Sequence, residues 1–166
     1  MKNKKALHLT QAALVGAMYF ALTWVSNTFG LASYAVQLRL SESLCVLPYF
    51  FPAATPGLFV GCLLANLSMN AVIWDMLFGS LATLIGAFIA SKLKNKWLVP
   101  IPTVLANTVI VPFVVLFCYT PGVKSVGVYA TITAGVFAGE VLSAYVLGMV
   151  LLLALDKHKG IFTKNR

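Results

Sequence analysis

Seven polar side chains interrupt otherwise apolar sequence and carry groups suited to recognition chemistry: Gln37, Arg39, Glu42, Asn66, Asp75, Asn107 and Glu140. A charged side chain at the centre of a lipid bilayer costs about 2.5 to 3.5 kcal/mol on insertion scales, so each one there needs a partner or a purpose. Glu140 stands deepest in sequence terms, flanked by Gly139 and Val141 inside a long apolar run. In a helix it lies roughly 20 Å from the end of that run near Leu155. A carboxylate at such depth is paired with Arg39 or another donor, protonated, or a ligand for a solute. Arg39 and Glu42 are three residues apart, a spacing that suits an ion pair on one helical turn or a guanidinium and carboxylate at the mouth of a pocket. Asp75 precedes another apolar run, where capping the helix competes with meeting a cation or a donor-rich ring. Asn66 and Asn107 either bond between helices or line the same cavity as Glu140. Together with Gln37, and with Tyr34, Trp74, Phe117 or Tyr119 to stack on a ring, this set fits a pocket that binds a flat, donor-rich solute between apolar walls.

Catalysis has no comparable signal. The sequence has no phosphate-cradling glycine loop, no H-E-x-x-H and no nucleophile with a histidine and carboxylate at a recognisable spacing, so the expectation is a chain that is not an enzyme. Cys45, Cys62 and Cys118 lack paired spacing and read as small buried hydrophobes, and His8 and His158 flank the apolar sequence, which leaves no metal site.

The elements that must hold these residues are membrane helices. Of 166 residues, 60% are hydrophobic and only 10% charged, against roughly 25% charged in soluble domains. The net charge of +8 does not describe a nucleic-acid face. Its basic residues gather in three clusters, Lys2, Lys4 and Lys5, then Lys92, Lys94 and Lys96, then Lys157, Lys159, Lys164 and Arg166, which bound the apolar stretches as cytoplasmic loops do. If the first two clusters share one side, an even number of crossings separates them. One helix covers 9–26, so the stretch from Arg39 to Ser91 holds one crossing or three, and its length favours three: 41–51, 56–69 and 75–90. Two more follow at 98–119 and 126–155. The expectation is an all-α integral membrane protein, a single domain over 1–166 in the form of a six-helix bundle with both termini inside. Its first external loop is long, and its second helix is short or irregular and crosses only if tilted, partly unwound or shielded. The amino-terminal run is long enough to span, and no small-residue cleavage site of a signal peptide follows it.

Helix one also carries Ala13, Ala17 and Ala21 at four-residue spacing, with Ala12 and Gly16 on the adjacent row. Small residues so spaced permit close helix packing, either within the bundle or against a partner membrane protein.

Several of these strings resemble a known family. Gln37 to Leu44, Val46-Leu47-Pro48, Pro56 to Cys62 with Ala65-Asn66, Asp75 to Thr83 and Gly139-Glu140 are similar to the QueT family of queuosine-precursor transporters, itself similar to the substrate-binding S components of energy-coupling factor transporters. The resemblance implies a six-helix subunit of the bacterial cytoplasmic membrane. That subunit binds a 7-deazaguanine such as preQ0, preQ1 or queuine, holds no cofactor of its own, and works with a transmembrane coupling protein and two ATPases that use the ATP. It further implies that Ala13 and Ala17 dock the coupling protein, that Glu140 suits the N–H edge of a guanine-like ring, and that Asp75 or Glu42 suits an aminomethyl cation. The competing reading is a stand-alone secondary carrier, proton-coupled through Glu140.

Overall fold

The computed structural model describes residues 2–31, 38–119, 122 and 125–157, and among them every regular element is helical. Helix α1 is Lys2–Thr28, α2 Ala54–Ser68, α3 Ile73–Ala90 and α4 Ile101–Cys118, and α5 is the continuous helix Val126–Asp156. A 3-10 helix, Leu40–Tyr49, lies between α1 and α2, and a short 3-10 turn, Lys96–Leu98, precedes α4. Four helices are long and apolar enough to cross a membrane, α1, α3, α4 with its preceding turn, and α5; α2 is apolar but shorter. The expected second span at 41–51 is therefore not an α-helix.

The local sequence accounts for the boundaries. Helix α1 ends where Gly30 takes a left-handed φ of 70°, and the Leu31 and Gly30 amides return to the Ser26 and Asn27 carbonyls at 2.9 Å each. This is the Schellman closure that glycine favours. Helix α2 ends in the same way on Asn70 (φ 54°), with Ala71 N–H on Asn66 O and Asn70 N–H on Leu67 O. Ser125 caps α5 by accepting from Val128 N–H at 3.2 Å.

The bundle is organised around the 3-10 helix, which contacts α1, α2, α3 and α5 and buries Ser41, Glu42 and the run Leu44 to Pro48. Runs of 3-10 longer than 3–4 residues are uncommon, and its rise of about 2.0 Å per residue carries ten residues through roughly 20 Å. A non-α segment at membrane depth is tolerable because neighbouring helices screen it from lipid. Pro48 withholds one amide. Gly148 of α5 lets that helix approach closely, since a Cβ there would lie 3.1 Å from Val46 Cγ1 and 3.5 Å from Ser43 O.

Contacts along the elements fix their directions. Ser26, Thr23 and Tyr19 of α1 meet Leu40, Ser41 and Glu42 in turn, so the 3-10 helix runs antiparallel to α1. Ala12, Gly16 and Trp24 meet Gly57, Gly61 and Ser68, so α2 runs parallel to α1. Here the small-residue rows separate: Ala12 and Gly16 seat against the G-x-x-x-G of α2, whereas Ala13, Ala17 and Ala21 lie exposed on the outside of the bundle. Helices α3 and α4 close on each other at Gly86 and Thr103. Tyr49 reaches Lys94 O, and Lys96 pairs with Asp156 at 3.3 Å, which places the ends of the 3-10 helix, α3 and α5 together at a lysine-rich end. Large apolar side chains cover the outer face, among them Leu64, Leu81, Phe88, Val109 and Val150, each more than two-fifths exposed. A surface of this kind has lipid rather than water as its solvent.

Candidate functional site

One face of α1 positions the site. Tyr19, Thr23 and Ser26 recur at helical spacing and are fully buried against the start of the 3-10 helix. Ser26 Oγ accepts the Leu40 N–H at 2.9 Å, satisfying a donor that the helix start leaves unpaired, and Thr23 Oγ1 lies 2.8 Å from Ser41 Oγ. The Tyr19 hydroxyl donates to Glu42. Glu42 also receives the Cys45 thiol at 3.2 Å, its neighbour three residues on along a 3-10 turn, and Thr83 Oγ1 of α3 at 3.5 Å. With 1% of its surface exposed, Glu42 is thus a carboxylate surrounded by donors from three elements.

Of the two readings of Arg39, the ion pair with Glu42 is not formed, and Arg39 precedes the 3-10 helix in an extended conformation (φ −103°, ψ 100°). Its Nη2 donates instead to Asn66 Oδ1 of α2 at 2.6 Å. Glu42, Asp75, Glu140 and the Tyr19 ring nevertheless all lie within electrostatic reach of the guanidinium.

Asp75 is likewise not a cap. Val72 occupies the cap position of α3, and Asp75, in the first turn, accepts from the Tyr119 hydroxyl at 2.9 Å, while the Tyr119 oxygen in turn accepts the Val72 N–H at 3.2 Å. The Asp75 carboxylate and the Asn66 amide both lie over Gly79, where a Cβ would stand 3.8 Å and 3.5 Å from them.

Glu140 sits at a break in α5. The α-helical part ends on it, and Val141–Leu147 is a π-helix, a rare widening that recurs at functional sites. This π segment packs directly on the 3-10 helix, so the two irregular elements of the bundle face each other beside the polar cluster. Glu140 is 4% exposed and Asn107 of α4, 3% exposed, lies next to it. Glu140 Oε2 and Asn107 Nδ2 miss full hydrogen-bond geometry, yet the Asn107 amide acts on the Glu140 carboxyl as a donor. An acceptor and a donor side by side complement each other, so a small side-chain movement pairs them and avoids the cost of an unsatisfied buried polar atom, about 1–3 kcal/mol.

The structure therefore gathers Arg39, Glu42, Asn66, Asp75, Asn107 and Glu140 into one region. Trp74 is not part of it: its ring stacks on Phe78 and lines an apolar groove of about 540 Å³ between α3 and α4 with Phe113 and Phe117. Its side chain is 55% exposed, on the outer surface of α3. Gln37 and Tyr34 lie outside the described residues. Tyr19, Thr83, Cys45 and Cys62 are additional members that the sequence reading passed over. Cys45 and Cys62 are buried, as small hydrophobes are, but their thiols also take part in the network: Cys62 Sγ accepts from Asn66 Nδ2 and from Thr83 Oγ1 at 3.6 Å each.

Nothing among curated proteins or solved structures matches this chain. The sequence model of the QueT transporter family, in contrast, matches residues 9–157, and its span takes in every helix that builds the polar cluster from α1 to α5. With nearly the whole chain covered and several helices long and apolar enough to cross a membrane, this multi-pass membrane protein belongs to the QueT transporter family and serves transport, not catalysis.

Proposed function

We propose that this chain is the substrate-binding S subunit of an energy-coupling factor importer for a 7-deazaguanine precursor of queuosine. The observation that carries the reading is the buried polar cluster itself, in which Glu42, Asn66, Asn107 and Glu140, none more than 4% exposed, gather beside Arg39 among otherwise apolar helices. A transport protein with no hydrolytic machinery has a use for such a site if it captures a solute and leaves the energy to other subunits. The polypeptide forms one domain in the bacterial cytoplasmic membrane. The 3-10 helix and α2, antiparallel to each other, complete six passes, with the lysine-rich end in the cytoplasm as the positive-inside rule requires.

Purified protein is expected to bind preQ0, preQ1 or queuine at micromolar or tighter affinity, read by calorimetry or by mass spectrometry of co-purified ligand. Absence of binding to all three removes the assignment. Uptake should vanish in cells lacking the coupling protein and ATPases; retained uptake identifies a stand-alone carrier instead.

The coupling protein docks on the exposed row of α1, Ala13 and Ala17, since the adjacent row Ala12 and Gly16 is taken up by α2. Ala13→Trp and Ala17→Trp each place a bulky ring on that outer surface, away from the polar cluster. Each variant is expected to keep ligand affinity within about two-fold while co-purification with the coupling protein falls ten-fold or more. Intact co-purification of the double variant rules this surface out.

A further inference from the structure

The connection from α3 to α4, residues 91–100, carries Lys92, Lys94 and Lys96 and no acid. It is tied to the bundle along its length. The Lys92 and Leu93 amides return to the Ile89 and Ala90 carbonyls at 2.9 and 3.3 Å, Asn95 Oδ1 accepts the Trp97 N–H at 3.1 Å, and the Tyr49 hydroxyl reaches Lys94 O at 3.5 Å. Leu93 packs on the buried cluster of Val46, Val99 and Leu152, while Lys92, Lys94 and Trp97 stay exposed. Of the three lysines, Lys96 is neutralised by Asp156. No other side-chain carboxylate is at hand, because Glu42, Asp75 and Glu140 belong to the polar cluster. Lys92 and Lys94 are therefore positive charges without an acid among the described residues.

Their depth is marked by what lies beside them. Lys92 Nζ stands over the Phe88 ring, 5.5 Å from its centroid, and Phe88 belongs to the apolar outer surface. A lysine whose stem follows an apolar face and whose ammonium reaches the edge of that face sits where hydrocarbon gives way to headgroups. Trp97, half exposed beside half-exposed Leu98 in the turn before α4, marks the same boundary, at which tryptophan is enriched.

We propose that this connection binds the headgroup of an anionic phospholipid in the adjoining leaflet, with Lys92 and Lys94 taking the phosphate. Charge complementarity selects the occupant. Two uncompensated ammonium groups at the rim of a lipid-facing surface meet negatively charged headgroups there, and each contributes about five-fold in binding. The site stands on the membrane location of the chain alone and is independent of the solute.

Native mass spectrometry of the full chain in detergent, titrated with phosphatidylglycerol and with phosphatidylcholine of the same acyl chains, reads the preference. Phosphatidylglycerol is expected to bind about ten-fold tighter or more, and Lys92→Gln with Lys94→Gln to bring the two lipids within about three-fold of each other. Lys4→Gln with Lys5→Gln removes the same charge from exposed positions on α1 and should leave the preference within about two-fold. Equal binding of the two lipids by the native protein overturns the proposal, as does a preference that survives the Lys92 and Lys94 changes. An equal loss in the Lys4 and Lys5 variant also overturns it, since net charge and not this connection then does the selecting. Displacement of the lipid by millimolar glycerol 1-phosphate would assign the lysines to a soluble anion instead. Because the comparison on native protein needs no substitution, a lysine variant that does not fold still leaves a decisive result.

Discussion

Gly57→Ala is expected to destabilise the protein by about 3 kcal/mol, at the upper end of what overpacking costs, and to abolish ligand binding with it. The added Cβ would stand 2.2 Å from Ala12 O and 3.0 Å from Ala12 C and Cα. All three opposing atoms are backbone, so no rotamer change makes room and α1 must move off α2. That shift matters beyond stability, because the same face of α1, further along the helix, carries Tyr19, Thr23 and Ser26, which hold Glu42 and the start of the 3-10 helix. The effect should be graded by clearance. Gly61→Ala meets Gly16 O at 2.6 Å and ranks second, and Gly16→Ala meets Gly57 O at 3.0 Å and ranks third. Gly79→Ala, whose nearest neighbour is the Asn66 amide at 3.5 Å, should be tolerated and gain from alanine's higher helix propensity. Thermal unfolding in detergent, followed by tryptophan fluorescence, reads the order directly. Equal tolerance of Gly57→Ala and Gly79→Ala sinks the argument that α1 and α2 meet backbone to backbone.

Much of this arrangement is legible in the sequence, and the parts that are not share a physical cause. Long apolar helices announce themselves by length and composition alone, which is why α1, α3, α4 and α5 are readable, and a charge inside them, such as Glu140, draws the eye because lipid makes it expensive. The conformation of Leu40–Tyr49 is not readable. Its residues suit an α-helix as well as a 3-10 helix, and the choice is consistent with contacts distant in sequence, namely the Ser26 and Thr23 side chains at one end and the close approach of Gly148 along its length. The π segment after Glu140 is the same case, a change of hydrogen-bond register without a distinguishing residue. Asp75 misleads for a local reason. The left-handed Asn70 ends α2 early enough for α3 to begin at Ile73, which moves the aspartate from the cap into the first turn. The stripe of Tyr19, Thr23 and Ser26 was open to view as polar residues at helical spacing in an apolar helix. Such residues are quieter than charges, because a hydroxyl in a membrane helix can bond to its own preceding turn, as Thr23 also does with Tyr19 O at 2.8 Å.

Arg39→Met is expected to cost about 1.5–3 kcal/mol of stability, the range for losing a hydrogen bond made by a charged group, and its value as a test lies in how it combines with a second change. The guanidinium is the positive charge that Glu42, Asp75 and Glu140 share among the described residues, and it also ties the start of the 3-10 helix to α2 through Asn66. Arg39→Lys keeps the charge and gives up the fork, so it isolates the geometric part and should cost about 1 kcal/mol. If charge balance dominates, taking away a carboxylate together with the arginine relieves the repulsion that the single variant exposes. The double variant Arg39→Met with Glu42→Gln should then lie about 1–3 kcal/mol above the sum of the two single losses, because neighbours in one network do not add. Glutamine is the right replacement at Glu42, since its carbonyl still accepts from Tyr19 or Thr83 and the packing volume is kept. A second cycle with Glu140→Gln in place of Glu42→Gln tests the same balance across the bundle, from the start of the 3-10 helix to the break in α5. Simple additivity in both cycles, measured by thermal unfolding of the four variants of each set, means that Arg39 acts through its bond to Asn66 alone and that the acids carry their charges independently of it.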